Sequence, residues 1–126
     1  MVGVAPGARL WAVRVLDASG AGSWSNVICG VDWVTPNAGR IEVANMSLGS
    51  SGSKPSRSGC STGDPLHGAI CRSVAAGVRY TVAAGNSSTN ARRVVPAADD
   101  EVITVSALTD FNGKPGGRGS DLPVRH

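Results

Sequence analysis

Aliphatic, β-branched segments alternate along this chain with segments of helical period, and Gly/Ser-rich turns divide them. Residues 9–16 (RLWAVRVL), 41–48 (IEVANMSL), 78–84 (VRYTVAA) and 101–108 (EVITVSAL) read as strands. Trp24, Val27, Ile28, Val31 and Val34 recur at helical spacing. They predict a helix that Ser23 caps and that stops at Pro36-Asn37-Ala38-Gly39. Asp64 followed by Pro65 marks a second helix start. Leu66, Ile70 and Val74 form its stripe, and Gly77 ends it. Residues 49–63 and 109–126 read as loops. This order predicts an α/β fold with a mostly parallel sheet and helices packed on it. A length of 126 residues fits one domain.

Composition narrows the classes. Aromatic residues are 4% of the chain and hydrophobic residues 41%, so small aliphatic side chains must build the core. The net charge of +3 comes from scattered residues, and Arg92-Arg93 is the only adjacent basic pair. No nucleic-acid partner is expected. No apolar run reaches the roughly 20 residues of a membrane span, so no membrane partner is expected. The first seven residues show no signal-peptide pattern. Cys29, Cys60 and Cys71 are too few for a disulfide scaffold. They contain no CxxC pair, so no metal site and no cofactor is expected.

In a parallel α/β sheet, chemistry collects beyond the carboxyl ends of the strands. That rule selects residues 17–22, 47–52 and 85–90. At the last of these, Ala83-Ala84-Gly85-Asn86 places small side chains beside an amide. Gly85 permits close backbone approach, and Asn86 offers neutral N–H donors. A neutral donor suits negative charge that arises only in a transition state. Taken alone, the same tetrapeptide also reads as a turn.

The motifs acquire meaning in series. Gly3-Val4-Ala5-Pro6, a strand, Gly20-Ala21-Gly22-Ser23, a helix, Asn45-Met46-Ser47-Leu48-Gly49, a helix and Ala83-Ala84-Gly85-Asn86 follow in that order. The series resembles the central part of the subtilisin-like serine proteases over residues 2–111, with 112–126 as a loop or tail. The resemblance implies an incomplete three-layer α/β fold, serine-type endopeptidase chemistry and a secreted protein. It implies that Asn86 is the side-chain donor of an oxyanion hole. Ser47, Leu48 and Gly49 would line one wall of the pocket for the residue before the scissile bond, and Ala83, Ala84 and Gly85 the other. Gly20, Ala21 and Gly22 would pair with the backbone of an extended polypeptide substrate.

The departures are large. The family orders its triad Asp, His, Ser. Its Asp-Ser/Thr-Gly, His-Gly-Thr and Gly-Thr-Ser-Met-Ala contexts do not occur here. A Ser nucleophile without its base has no proton acceptor, so this chain alone is expected to be inactive. Its implied partners include the missing flanking segments of its own domain. His67-Gly68 resembles the catalytic His context, but it follows Ser47-Leu48-Gly49 in the chain, on the wrong side for the triad. It is expected on a helix surface. Asp32, mid-helix, is expected on a solvated face.

Chain spacing leaves Cys60 and Cys71 either bridged or as two thiols. The resemblance implies the bridge, with Cys29 unpaired. Calcium occurs in the family, but Asp99-Asp100-Glu101 reads better as a solvated acidic turn than as a calcium site. A dinucleotide-binding reading of Gly20-Ala21-Gly22 fails, because Ser25 replaces the third Gly and Glu42 opens its strand rather than ending it. A catalytically dead peptide-binding module of the same fold is the alternative function.

Overall fold

The structure is a computed structural model that describes residues 3–53, 60 and 63–107. Leu108, the 112–126 tail and much of the 49–63 loop lie outside the described residues. Two helices, α1 (Trp24–Val34) and α2 (Pro65–Ala75), accompany strands β1 (Val43–Met46), β2 (Ser50–Ser51), β3 (Arg79–Ala83), β4 (Val94–Val95) and β5 (Ile103–Val105). The main sheet has the order β1-β3-β5 and is parallel throughout. Val43 faces Arg79, Met46 faces Val82, and Ala83 faces Val105.

The helix ends follow from local chemistry. The Ser23 side chain accepts from the Asn26 N–H at 3.2 Å, which satisfies a first-turn donor of α1. Asp64 does the same for the His67 N–H at 2.9 Å, with Pro65 at the first position of α2. Gly77 follows α2 at φ +110, a backbone that side-chain-bearing residues rarely adopt. A turn of 3-10 helix, Thr35–Asn37, closes α1.

The core lies where α1 and α2 meet the sheet. Val27, Val31 and Val34 of α1 join Leu66 and Ile70 of α2 and Met46, Tyr80 and Val82 of the strands. The Tyr80 hydroxyl donates to Ser73 Oγ at 2.7 Å, tying β3 to α2 inside the core. Burial raises the Tyr80 phenol above its usual 10.0. The opposite face of the sheet carries Val43, Ile103 and Val105, each more than half exposed. Parallel sheets ordinarily have both faces covered. The bare face is therefore what an incomplete α/β fold leaves. No helix among the described residues is long and apolar enough to cross a membrane.

Two expectations, one of a strand and one of a loop, need correction. Residues 9–16 run without strand pairing. A cleft of about 920 Å³ separates them from β1, lined by Leu10, Val13 and Val15 on one side and Val43, Ala44 and Met46 on the other. The segment instead packs on α1. A Cβ on Gly30 would meet Val15 Cγ1 at 2.7 Å, so glycine there lets the segment lie against the helix. Trp11 meets Trp33 with ring centroids 6.2 Å apart, and the Arg40 guanidinium sits 4.7 Å from the Trp11 ring. The second correction lies in the loop after β1. Ser50 and Ser51 pair antiparallel with Val95 and Val94. A ladder this short has no period to read.

Candidate active-site cleft

The carboxyl ends of β1, β3 and β5 surround a cleft of about 500 Å³. Ser47, Ala83, Ala84, Gly85 and Asn86 all line it, so the structure brings together five of the expected site residues. Parallel pairing does this, because it stops all three strands on the same side. Gly85 turns the chain at φ +95, and a Cβ there would meet Val94 Cγ2 at 3.2 Å. Asn86 follows it, exposed, with no protein hydrogen bond to its side chain among the described residues. Its donors remain open to a ligand.

The sequence reading missed two residues that shape this cleft. Asn45 Nδ2 donates to Ser47 Oγ at 3.0 Å, and Thr81 Oγ1 donates to Asn45 Oδ1 at 3.0 Å. This chain of bonds fixes Ser47 from the neighbouring strand. The parallel register that sets Asn45 beside Thr81 is not a local signal.

The other expected residues lie elsewhere. Leu48 lines the larger cleft beside residues 8–16. Gly49 lies against β4, where a Cβ would meet the Val95 carbonyl oxygen at 3.1 Å. Gly20, Ala21 and Gly22 form the turn into α1 and do not line the strand-end cleft. Asp17 organises that turn by accepting from the Ser19 N–H, Ser19 Oγ and the Ala21 N–H at 2.8, 2.6 and 3.0 Å. These bonds, the Ser19 hydroxyl first, hold the Asp17 carboxyl below its usual 3.8. Gly22 is required there, since a Cβ would lie 2.6 Å from the Val15 carbonyl oxygen.

Two polar expectations are overturned. His67 is not on the helix surface. It is 1% exposed, and its Nε2 meets Glu101 Oε2 at 2.7 Å. The buried face of α2 is wide enough to include Leu66, His67, Ile70 and Cys71. His67 stands four positions before Cys71, on the same side of the helix. The acidic turn is not uniformly solvated either. Asp99 is buried, Glu101 is half-buried against His67, and only Asp100 is exposed. Asp32 is exposed as expected and pairs with Arg72 at 2.9 Å. Both partners are solvated, so the pair contributes little. Cys60 and Cys71 are bridged with Cα atoms 5.6 Å apart, and Cys29 is free and exposed.

Asp99 yields a pH prediction. Burial raises its carboxyl above the usual 3.8, with the attraction of His67 opposing and Asp64, Glu101 and Asp100 adding to the rise. A carboxyl whose folded pKa is raised binds more protons in the folded state, so its ionisation costs stability as pH rises through that window. Below 3.8 both states are protonated and the cost disappears. Asp99→Asn should therefore match the unsubstituted chain at low pH and become more stable than it towards neutrality. Urea unfolding across pH measures this, and a pH-independent difference would contradict it.

A parallel sheet, a helix pair and a strand-end cleft with an open amide donor define an α/β protein with a cleft at the carboxyl edge of its sheet. The family model described as the subtilase family matches residues 1–120, and the chain belongs to that family. It is 46% identical over 107 residues to the extracellular serine proteinase of Thermus sp. (strain Rt41A), covering 85% of this chain and 24% of the relative. It is 37% identical over 111 residues to subtilisin DY of Bacillus licheniformis, covering 86% and 36%. The solved structure of a cold adapted subtilisin-like serine proteinase superposes with a TM-score of 0.64 at 41% identity, over 76% of this chain and 32% of that one. The chain thus spans about a quarter to a third of the length of these relatives.

Proposed function

We propose that this chain forms the central part of the catalytic domain of a subtilisin-like serine endopeptidase, which is secreted and hydrolyses peptide bonds of extended polypeptides. One observation carries the reading: the open amide of Asn86 shares the strand-end cleft with Ser47, Ala83, Ala84 and Gly85. In this reading the Asn86 amide donates to the oxyanion of the tetrahedral intermediate, where its dipole favours the transition state over the ground state. Small walls formed by Ser47, Ala83, Ala84 and Gly85 admit a broad, mostly apolar side chain, and Leu48 and Gly49 extend the Ser47 wall beyond the strand-end cleft. Gly20, Ala21 and Gly22 offer backbone groups to the substrate strand. The nucleophile, base and orienting acid come from segments outside this chain, so the chain alone is inactive.

The purified chain should neither cleave casein nor react with a fluorophosphonate serine probe. Joined to segments bearing the Asp, His and Ser motifs, it should do both. Stoichiometric labelling of the isolated chain, or peptide binding without hydrolysis in the joined protein, would overturn the reading; the second result would favour a binding module.

A further inference from the structure

The disulfide, His67 and Glu101 meet at one corner, between the first turns of α2 and the turn that leads into β5. Cys60 Sγ lies 3.9 Å from one Glu101 oxygen, and His67 Nε2 lies 2.7 Å from the other. The two sulfurs and a Glu101 oxygen all fall within 4.8 Å of one another. His67 and Cys71 stand four positions apart on α2 and so project from the same side of the helix. While the bridge is intact, neither sulfur is an anionic ligand. Reduction leaves two thiols and a carboxylate around one point, donor types that bind Zn²⁺, with the His67 imidazole hydrogen-bonded to the carboxylate. CxxC rules overlook this set because Cys60 and Cys71 are 11 residues apart and Glu101 belongs to another element.

We propose that reduction of the Cys60–Cys71 bridge converts this corner into a Zn²⁺ site with Cys60, Cys71 and Glu101 as ligands and His67 as the residue that orients Glu101. With a phosphine as reductant, phosphorus attacks one sulfur and the S–S bond breaks. Water then supplies the oxygen of the phosphine oxide and the two protons of the thiols. Binding the divalent ion releases those two protons as both thiols become thiolates. The proposal does not depend on the peptidase reading.

The test titrates the full chain with Co²⁺, before and after phosphine reduction, and follows thiolate-to-cobalt charge transfer and the strong visible bands of four-coordinate cobalt. The reduced chain should bind one Co²⁺, displaceable by Zn²⁺, and the oxidised chain should not. His67→Ala and Glu101→Gln should each weaken binding by at least about tenfold. Cys29→Ser should leave it unchanged. Absence of one-to-one binding after reduction would overturn the proposal. So would equal binding by the oxidised chain, dependence on Cys29, or indifference to both His67→Ala and Glu101→Gln, which is what two thiols in an unfolded chain would give.

Discussion

Replacing Asn86 by Ala in the enzyme joined from this chain and triad-bearing segments should lower kcat by about a hundredfold or more, with little change in KM. That size is the one known for the side-chain oxyanion donor of a subtilisin, not one calculated from this cleft. The split between kcat and KM follows from the timing of the charge. The substrate carbonyl carries only a partial charge, so losing the donor barely affects binding. The tetrahedral oxyanion carries a full charge, and losing the donor raises its energy. Gly85 and Val94 hold the turn, so Ala at position 86 should leave the backbone in place. Steady-state kinetics on a peptide amide decide the matter. A variant that loses affinity and keeps kcat would show that Asn86 is a contact and not an oxyanion donor.

Removing the bridge should have the largest effect on stability. Cys60→Ser with Cys71→Ser frees a loop of 11 residues. Loop closure of that length contributes about 3 kcal/mol by constraining the unfolded chain. The exposed, unpaired Cys29 provides the control, since Cys29→Ser should shift stability by less than about 0.5 kcal/mol. Denaturant unfolding of the three proteins under oxidising conditions measures both effects. Equal stability of the double variant and the parent would contradict the structural role of the bridge.

The parts legible in the sequence are those that rest on local chemistry. Ser23 and Asp64 announce the two helix starts, because a side-chain acceptor before an apolar period is nearly self-contained. β3 was legible because 78–84 is a short apolar, β-branched run bounded by Gly77 and Gly85. The gathering of Ser47, Ala83, Ala84, Gly85 and Asn86 followed from parallel order alone. What was not legible is non-local. The strand character of residues 9–16 can be read, but whether a partner lies beside them cannot. His67 and Glu101 are 34 residues apart, so nothing near His67 reveals its partner. Asn45 reaches Thr81 only through the register of β1 on β3.

In the proposed reading the strand-end cleft is the oxyanion side of a peptidase site. A crystal structure of the joined enzyme with a peptide aldehyde bound to the nucleophilic Ser tests it most directly. The hemiacetal oxygen should lie about 2.7–3.1 Å from Asn86 Nδ2. The adjacent side chain should sit between Ser47, Leu48 and Gly49 on one wall and Ala83, Ala84 and Gly85 on the other, with the peptide backbone along Gly20, Ala21 and Gly22. An aldehyde adduct whose oxygen points away from Asn86, or a peptide that touches neither Ser47 nor Ala83, Ala84 and Gly85, would contradict that reading.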